Sequence, residues 1–470
     1  MENAIHAPAA ALARAIRARE ISSEEIVNAC LARIETVNGR INAAVRVRAE
    51  EARREAREAD AALTRGAVKG PLHGVPVTIK DSFDLAGVVA ACGTRGRSSY
   101  VPRQDATTVA RLRAAGAVVL AKTNAPEFCL AYETDNLVYG RTNNPYDAGR
   151  TPGGSSGGEA ALIAAGGSPL GLGSDMGGSI RLPAHFCGIC GLKPTAGRVP
   201  RTGHFPPAGG PLDALIQIGP LARFVEDLRL ALPVLSGPDW RDPAIVPMPL
   251  ADAAVPLKDL RIAFHTDNGI CPPTPETADV VRQAAKALES AGAIVEENRP
   301  EGMEQAMGMF TGLMGADGGA AIQMLLLLSG TAEPHPFTRA LLAEAGRQPL
   351  STREFEMLLF RLDVYRGAML GFLENYDAIL CPACAQPAMP HGTTFENLPA
   401  FSYTLTYNVT GWPAAVVRGG TSPDGLPIGV QAVARPWRED VALAMAAHLE
   451  TALGGWQTPT EAGTNARAAD

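Results

Sequence analysis

The sequence is short of charge, and shorter still of positive charge. Of its 470 residues, 19% are charged, and 42 Lys and Arg are outnumbered by 49 Asp and Glu, which leaves a formal net charge of −7. Proteins that bind nucleic acid neutralise phosphates with clusters of Lys and Arg, so this composition argues against nucleic acid as a partner. Hydrophobic residues make up 46% of the chain, which is typical of a folded globular protein.

Long apolar runs are also lacking. The longest uncharged apolar stretch lies near residues 320–328 and is about half the length that a membrane-spanning helix requires. Residues 1–20 have an acid at position 2 and arginines among their alanines, so we do not interpret them as a signal peptide. We therefore expect a cytoplasmic protein without a membrane span, and the hypothesis of a homodimer stays open.

Cysteine is scarce as well, with eight residues in the chain, too few for a dense disulfide framework. Two C-x-x-C pairs, Cys187/Cys190 and Cys381/Cys384, raise the alternative of a four-sulfur zinc site. Because the two pairs lie far apart in the chain, we interpret the four sulfur atoms as buried, reduced thiols. The prediction is a protein that needs no metal and no cofactor.

The sequence does contain a regular alternation of short β-branched runs with amphipathic helical segments. The run GVPVTIK that ends at Lys80 predicts a buried strand. The alternation predicts an α/β/α sandwich, in which helices cover a large mixed, mostly parallel central sheet. Further predicted strands are 117–121, 260–264, 294–296, 376–380, 414–417 and 428–434, and predicted helices are 105–115, with Asp105 as its cap, 275–291 and 439–453.

The most informative stretch is residues 153–194, which read GGSSGGEAALIAAGGSPLGLGSDMGGSIRLPAHFCGICGLKP. Ser155 and Ser179 each follow a pair of glycines. A serine displayed on glycine-rich backbone combines an exposed hydroxyl with nearby N–H donors for an oxyanion. The patterns GGSSGG, G-x-G-S-D-x-G-G-S-I-R-x-P-A and G-x-x-G-x-K-P closely resemble the signature of the amidase signature family of hydrolases. That resemblance implies a single α/β/α domain.

Ser179 is the best candidate nucleophile in this stretch. The backbone N–H groups of Met176, Gly177 and Gly178, together with that of Ser179, are the candidate oxyanion donors, since two glycines let successive N–H groups converge.

The residues leave two candidates for the base that takes the proton from the nucleophile. Lys80 ends an apolar strand, and burial of an ammonium favours the neutral amine, which is a usable base. The alternative is His185, which follows six residues after Ser179. Asp175 and Arg181 flank the loop, and we interpret them as orienting partners, because a guanidinium is no base.

The resemblance assigns the catalytic roles by motif. It implies Lys80 as base, Ser155 as bridging serine and Ser179 as nucleophile, a Ser–Ser–Lys relative of the serine triads. The residues alone do not decide between Ser155 and Ser156, and the family pattern selects the first. Such a site would cleave amides and, by the same steps, carbamates and esters.

The resemblance also divides the chain. We predict one domain over residues 1–470, with a helical arm at 1–65, a signature core at 70–260 and a variable substrate-channel segment at 300–400. The last segment is rich in methionine, whose flexible thioether suits pockets of variable apolar shape. The methionines concerned are Met303, Met307, Met309, Met314 and Met324.

Two rival functions are weighed. Gly153-x-Ser155-x-Gly157 fits the nucleophile elbow of α/β-hydrolases, but turn-forming residues precede it where a strand is needed. The glutamine-hydrolysing subunit of tRNA-dependent amidotransferases shares the signature and carries an acid seven positions before an N-x-x-G-x-P motif. Here that motif begins at Asn408, and the position holds Phe401.

We therefore favour a stand-alone hydrolase of apolar or aryl substrates, closest in motif to the fatty-acid-amide-hydrolase-like branch but without its transmembrane helix. The predicted substrate-binding residues are Cys129, Ala131, Tyr132, Phe401 and Trp412, and the predicted partner is a small amide or carbamate.

Overall fold

An 11-stranded mixed β-sheet forms the centre of the protein. The structure is a computed structural model that describes residues 2–207, 209–251, 255–346 and 349–459. The strands are β1 (Ala44–Val47), β2 (Pro76–Lys80), β3 (Val118–Thr123), β4 (Leu170–Asp175), β5 (Cys190–Lys193), β6 (Gln217–Ala222), β7 (Arg261–Phe264), β8 (Ile294–Glu297), β9 (Ala378–Pro382), β10 (Ala414–Thr421) and β11 (Pro427–Ala434).

Fifteen α-helices accompany the sheet in the described part of the chain. They are α1 (Glu2–Ile5), α2 (Ala9–Arg17), α3 (Ser23–Ile41), α4 (Ala49–Thr64), α5 (Thr107–Ala114), α6 (Gly157–Ala164), α7 (Arg181–Phe186), α8 (Val225–Leu235), α9 (Pro275–Ser290), α10 (Gln305–Gly315), α11 (Ala320–Ser329), α12 (Pro336–Ala345), α13 (Thr352–Phe372), α14 (Ser402–Val409) and α15 (Glu439–Leu453).

The strand order is β1-β3-β2-β4-β6-β5-β10-β11-β9-β7-β8. The predicted α/β class and the large mixed sheet are confirmed, but the expectation of a mostly parallel sheet is wrong. Among the described strands, six of the ten neighbouring pairs are antiparallel and four are parallel. For one of these pairs the reason is a short connection: only residues 422–426 separate β10 from β11, which is too few for the crossover that a parallel pair requires.

The N-terminal segment is more than the helical arm that was predicted. It contains α1 to α4, and Ser22 caps α3 through a reciprocal pair of hydrogen bonds with Glu25, the capping box that the sequence pattern indicates. However, β1 lies between α3 and α4 and pairs antiparallel with β3. The segment therefore supplies an edge strand of the sheet, which a run of four residues did not reveal.

The residue at which a helix begins was predicted less accurately than the presence of the helix. The helix predicted at 105–115 is α5, which begins at Thr107 after an N-cap at Ala106. Asp105 is not its cap, because its carboxylate accepts a hydrogen bond from the Ala86 N–H at 2.8 Å and pairs with Arg113. The side chain closes a neighbouring loop instead.

A buried carboxyl group ties a helix to the two strands beneath it. Glu159 on α6 is fully buried, and its carboxylate accepts hydrogen bonds from the hydroxyls of Thr78 on β2 and Thr123 on β3, the latter at 2.6 Å. Burial raises the pKa of Glu159 to about 7, although both threonine hydroxyls act against the rise. The protonated form is therefore favoured in the folded state.

This predicts that Glu159 weakens the fold as the pH rises. Its folded pKa lies above its unfolded value, so its contribution to stability is fullest below about pH 4 and is lost between about pH 4 and 7. The loss amounts to about 3 kcal/mol. Glu159→Gln removes this titration, and its free energy of unfolding is expected to exceed that of the wild type at pH 8 while varying less between pH 5 and 7.

Urea unfolding at a series of pH values measures the effect. Glu51→Gln, at an exposed position on α4, is the control and should leave the wild-type slope unchanged. If the free energy of unfolding of Glu159→Gln depends on pH as steeply as that of the wild type, Glu159 is not the source of this dependence.

Candidate active site

The candidate site lies where two neighbouring parallel strands end. β2 and β4 pair in parallel, with Ile79 opposite Leu172, so their carboxyl ends meet at one edge, where α/β proteins place their ligands. Lys80 is the last residue of β2, and Ser174 is the last but one of β4. Lys80 is fully buried, and its Nζ donates to Ser174 Oγ at 2.9 Å. The sheet itself therefore fixes the position of the lysine.

A glycine-rich loop before α6 brings a second serine to the same amine. Lys80 Nζ lies 2.6 Å from Ser155 Oγ. The neighbouring Ser156 turns away and donates to the carbonyl of Ser174 at 3.3 Å. The loop needs glycine, because a Cβ at Gly154 would lie 2.6 Å from the carbonyl oxygen of Glu133. Of the two candidates that the sequence left open, Ser155 is the one that contacts the lysine.

Ser179 lies on the loop that connects β4 with α7. Its carbonyl accepts a hydrogen bond from the Ser156 N–H at 3.1 Å, so the two serine loops are tied together. The residue is 7% exposed and lines a cavity. Lys80, Ser155 and Ser179, distant in sequence, thus come from three segments that converge on one edge of the sheet.

Asp175 holds the Ser179 loop in shape. Its carboxylate accepts hydrogen bonds from the N–H groups of Gly178 at 2.8 Å and Ile180 at 3.1 Å. Gly178 has φ +113°, a conformation that favours glycine. The prediction for Gly178 as an oxyanion donor does not fit this structure, since its N–H points to Asp175. Met176 and Gly177 line the cavity with Ser179.

A buried ion pair anchors this loop to the C-terminal third of the chain. Arg181 Nη2 lies 2.9 Å from Asp175 Oδ1, and both side chains are fully buried. Arg181 Nη1 also donates to Gln431 at 2.7 Å, and Asn408 donates to Asp175 at 2.9 Å. Burial alone would raise the pKa of Asp175, but Arg181 and Asn408 hold it well below its ordinary value. The orienting role predicted for Asp175 and Arg181 agrees with these contacts.

Two polar residues that continue the hydrogen-bond network of the lysine were not predicted from the sequence. Ser174 lies between Lys80 and His204, whose Nε2 is 2.9 Å from Ser174 Oγ. Ser174 could have been found, because it lies at the end of the strand beside β2. His204 has no local signal. His185, the alternative base, is bound to the backbone of Gly429 and Gln386, and burial lowers its pKa to about 4.

The cavity beside Ser179 has a volume of about 700 Å³. Of the predicted substrate-binding residues, Cys129, Ala131 and Tyr132 line it. Phe401 and Trp412 are buried instead and are not in its wall. The Phe401 ring stacks on that of Tyr132 at 4.3 Å, so it supports the wall from behind. A position in a motif identifies a residue, but it does not tell whether the side chain points into the cavity or into the core.

Apolar and aromatic side chains dominate the cavity wall. Met307 and Met314 belong to it, whereas Met303 and Met309 are buried in the core and Met324 is exposed. Two of these five methionines from the predicted channel segment therefore line the cavity. The larger apolar residues of the wall are Leu130, Tyr132, Met176, Met307, Phe310, Met314, Ile322, Phe337, Leu341, Leu350, Phe395, Leu398 and Leu405, and its more polar residues include Ser179, Thr311, Glu344 and Thr394.

No group of three or more His, Cys, Asp or Glu side chains that could hold a metal ion occurs among the described residues. The sulfur atom of Cys187 contacts the carbonyl of Pro152, and that of Cys190 contacts the carbonyl of Arg223. The sulfur atom of Cys381 contacts the Tyr407 hydroxyl.

Within the described ranges no single helix is long and apolar enough to cross a membrane. The pair α10 and α11, which is bent by 49° at the break between the two helices, has the length and composition of a membrane span only when both helices are taken together.

Fold and site together define an enzyme of the hydrolase class. The chain belongs to the amidase signature family, since the family model described as Amidase matches residues 25–443. It is 34% identical to "Fatty-acid amide hydrolase 2" of Homo sapiens, over 95% of this chain and 89% of that protein. It is 37% identical to a glutamyl-tRNA(Gln) amidotransferase subunit of Moorella thermoacetica, over 90% and 91% of the two chains.

Solved structures agree with this assignment. The structure of 6-aminohexanoate cyclic dimer hydrolase complexed with substrate superposes with a TM-score of 0.85 at 31% identity, over 97% of this chain and 100% of that one. The protein is therefore an amidase-family hydrolase of amide C–N bonds, and the family resemblance of its glycine-rich motifs is confirmed.

Proposed function

We propose that this protein hydrolyses amides with apolar or aryl groups through an acyl-enzyme on Ser179, with Lys80 as base and Ser155 as the bridge between them. The observation that carries the proposal is the 2.6 Å contact between Lys80 Nζ and Ser155 Oγ, beside an apolar cavity into which Ser179 opens. We also propose that the chain is a single cytoplasmic domain and that it needs no metal or cofactor.

In the proposed reaction, Ser179 Oγ attacks the carbonyl carbon and its proton passes through Ser155 to Lys80. The N–H groups of Met176, Gly177 and Ser179 stabilise the oxyanion, each worth about 3–4 kcal/mol. Lys80 then returns the proton through Ser155 to the leaving nitrogen, and a water molecule repeats the cycle on the ester. Carbamates and esters fit this scheme, because their leaving groups also accept a proton.

The cavity wall supports apolar substrates over glutamine. A free amino acid carries two charges, and charged groups are costly to bury without partners. Phe401, where amidotransferase subunits carry an acid, is buried behind Tyr132. Relatives whose names refer to fatty-acid amides and to a cyclic dimer of 6-aminohexanoate are consistent with this preference.

The 37% identity to a component of a glutamyl-tRNA(Gln) amidotransferase favours a second candidate function. In that function the chain would hydrolyse glutamine as one subunit of a tRNA-dependent amidotransferase.

The two functions predict opposite substrate preferences for the isolated chain. We expect kcat/KM for an apolar acyl para-nitroanilide to exceed that for glutamine by about 100-fold or more, because the described residues that line the cavity include no Lys, Arg or His to pair with the carboxylate of glutamine. Steady-state kinetics on both substrates measures this ratio. A higher kcat/KM for glutamine, without any added partner, would contradict the proposal.

A matched pair of variants tests the wall directly. Leu398→Glu places a charge in the cavity wall, and we expect it to lower kcat/KM for the anilide by about tenfold or more. Leu370→Glu makes the same change at an exposed site on α13 and should leave the value unchanged.

A further inference from the structure

Two cysteines that no sequence motif joins meet in the fold. Cys92 and Cys129 are 37 positions apart, and their sulfur atoms lie 3.7 Å from each other. All eight cysteines are in the described chain, and none forms a disulfide. The pair is created by folding, unlike the two C-x-x-C pairs that the sequence displays.

Backbone hydrogen bonds hold the two thiols side by side. The Phe128 N–H donates to the carbonyl of Cys92 at 3.0 Å, which joins the two segments one residue before Cys129. The Cys92 N–H donates to Asp81 at 2.8 Å, and Asp81 directly follows Lys80. The thiol pair is therefore attached to the same strand end as the lysine of the candidate site.

The two sulfur atoms have different surroundings. Cys92 is fully buried, and burial raises the pKa of its thiol well above the ordinary value. Cys129 is half-buried and lines the substrate cavity. The hydrogen-bonding contact with the Cys92 sulfur lowers the pKa of Cys129 well below the ordinary value against the effect of burial, and the His204 side chain acts in the same direction. A thiolate is the reactive form of cysteine.

We propose that Cys129 and Cys92 form a modification site in the substrate cavity, where Cys129 reacts with hydroperoxides and Cys92 resolves the product as a disulfide. The Cys129 thiolate attacks the terminal peroxide oxygen and the O–O bond breaks. The remaining part of the peroxide leaves with a proton from solvent, as an alcohol from an organic hydroperoxide or as water from hydrogen peroxide. Cys129 is thereby oxidised to a sulfenic acid. Cys92 then attacks the Cys129 sulfur, the S–O bond breaks, and hydroxide leaves as water with the Cys92 proton.

The second step requires a modest approach of the two sulfur atoms. They must come closer by about 1.7 Å to reach the length of a disulfide bond. Because Cys129 shares its cavity with Ser179, we expect the modified enzyme to hydrolyse amides more slowly until it is reduced. This effect on activity and the protection by a bound amide described below rest on the proposed function, whereas the modification itself is read out chemically.

The direct test is peptide mapping of the wild-type chain. The reduced protein is treated with hydrogen peroxide, blocked with N-ethylmaleimide and digested with trypsin. We expect a disulfide between the tryptic peptides of residues 81–95 and 123–141, which dithiothreitol releases. Absence of this linked peptide, or earlier oxidation of either C-x-x-C pair, would overturn the proposal.

Cys271 is the internal control for reactivity. It is also partly exposed, but its thiol donates to the carbonyl of Pro272, and burial raises its pKa. Iodoacetamide should alkylate Cys129 about tenfold faster than Cys271. An apolar amide in excess should slow the reaction of Cys129 and not that of Cys271. Equal alkylation rates would contradict a reactive thiol in the cavity, whereas unequal rates without protection would contradict only the proposed substrate.

Two variants separate the roles of the thiols. Cys92→Ser should abolish the linked peptide and leave a sulfenic acid on Cys129 that dimedone traps, with the activity of the reduced enzyme unchanged, since Cys92 is outside the cavity wall. Cys129→Ser should abolish both products. Dimedone labelling of Cys92 in Cys129→Ser would reverse the assigned order of attack and overturn the mechanism.

Discussion

Replacing Ser179 with alanine is expected to lower kcat for amide hydrolysis by about 10⁵- to 10⁶-fold, with KM changed by less than about threefold. The variant loses the nucleophile but keeps the cavity and the N–H groups that stabilise the oxyanion, so binding persists and only residual catalysis remains. The side chain is small and lines a cavity, so the fold should be unaffected. Steady-state kinetics on one anilide, with circular dichroism as a check of folding, measures the effect.

Covalent labelling identifies the nucleophile independently of the rate. A fluorophosphonate should label Ser179 in the wild type and nothing in Ser179→Ala. The tryptic peptide of residues 151–181 also carries Ser155, so fragment ions have to assign the modified residue. Stoichiometric label on Ser155 would exchange the roles of the two serines.

Replacing Lys80 with alanine is expected to reduce kcat/KM for an amide by about 10⁴-fold and that for an ester by about 10²-fold. The variant lacks both the base for Ser179 and the proton that returns to the leaving group. An amine leaves only when protonated, whereas an alkoxide needs less help, so the amide suffers more. The comparison uses an amide and an ester with the same acyl group.

Packing has to be separated from chemistry, because Lys80 is fully buried. Lys80→Met keeps most of the side-chain volume without the amine, and it should lose as much amide activity as Lys80→Ala. Substantial activity in Lys80→Met, or equal losses on amide and ester, would remove the lysine from the proton path.

Much of the fold was accessible from the sequence because its pattern is local. The predicted helix at 439–453 has the bounds of α15, and the strand that ends at Lys80 is β2. Strand direction was not accessible, since it depends on the connections between strands. The edge strand β1 was missed because its four residues, AVRV, lie between two longer helical patterns.

The site was predictable only where a motif carries it. Lys80 and Ser155 were named from the sequence and are in contact. By contrast, His204 reaches Ser174 across 30 positions and Cys92 reaches Cys129 across 37, and such pairs depend on how the loops fold. Phe401 and Trp412 were misplaced because hydrophobicity predicts burial without telling a pocket wall from a core.

The buried Arg181 has a consequence for the order in which a newly made chain becomes active. Its partner Gln431 lies 250 positions further along the chain, so the loop that carries Ser179 leaves the ribosome long before the residue that completes its anchor. Until then Arg181 and Asp175 lack part of the hydrogen bonding that compensates for their burial. We therefore expect the Ser179 loop of a nascent chain to become fully anchored only after residue 431 has been synthesised.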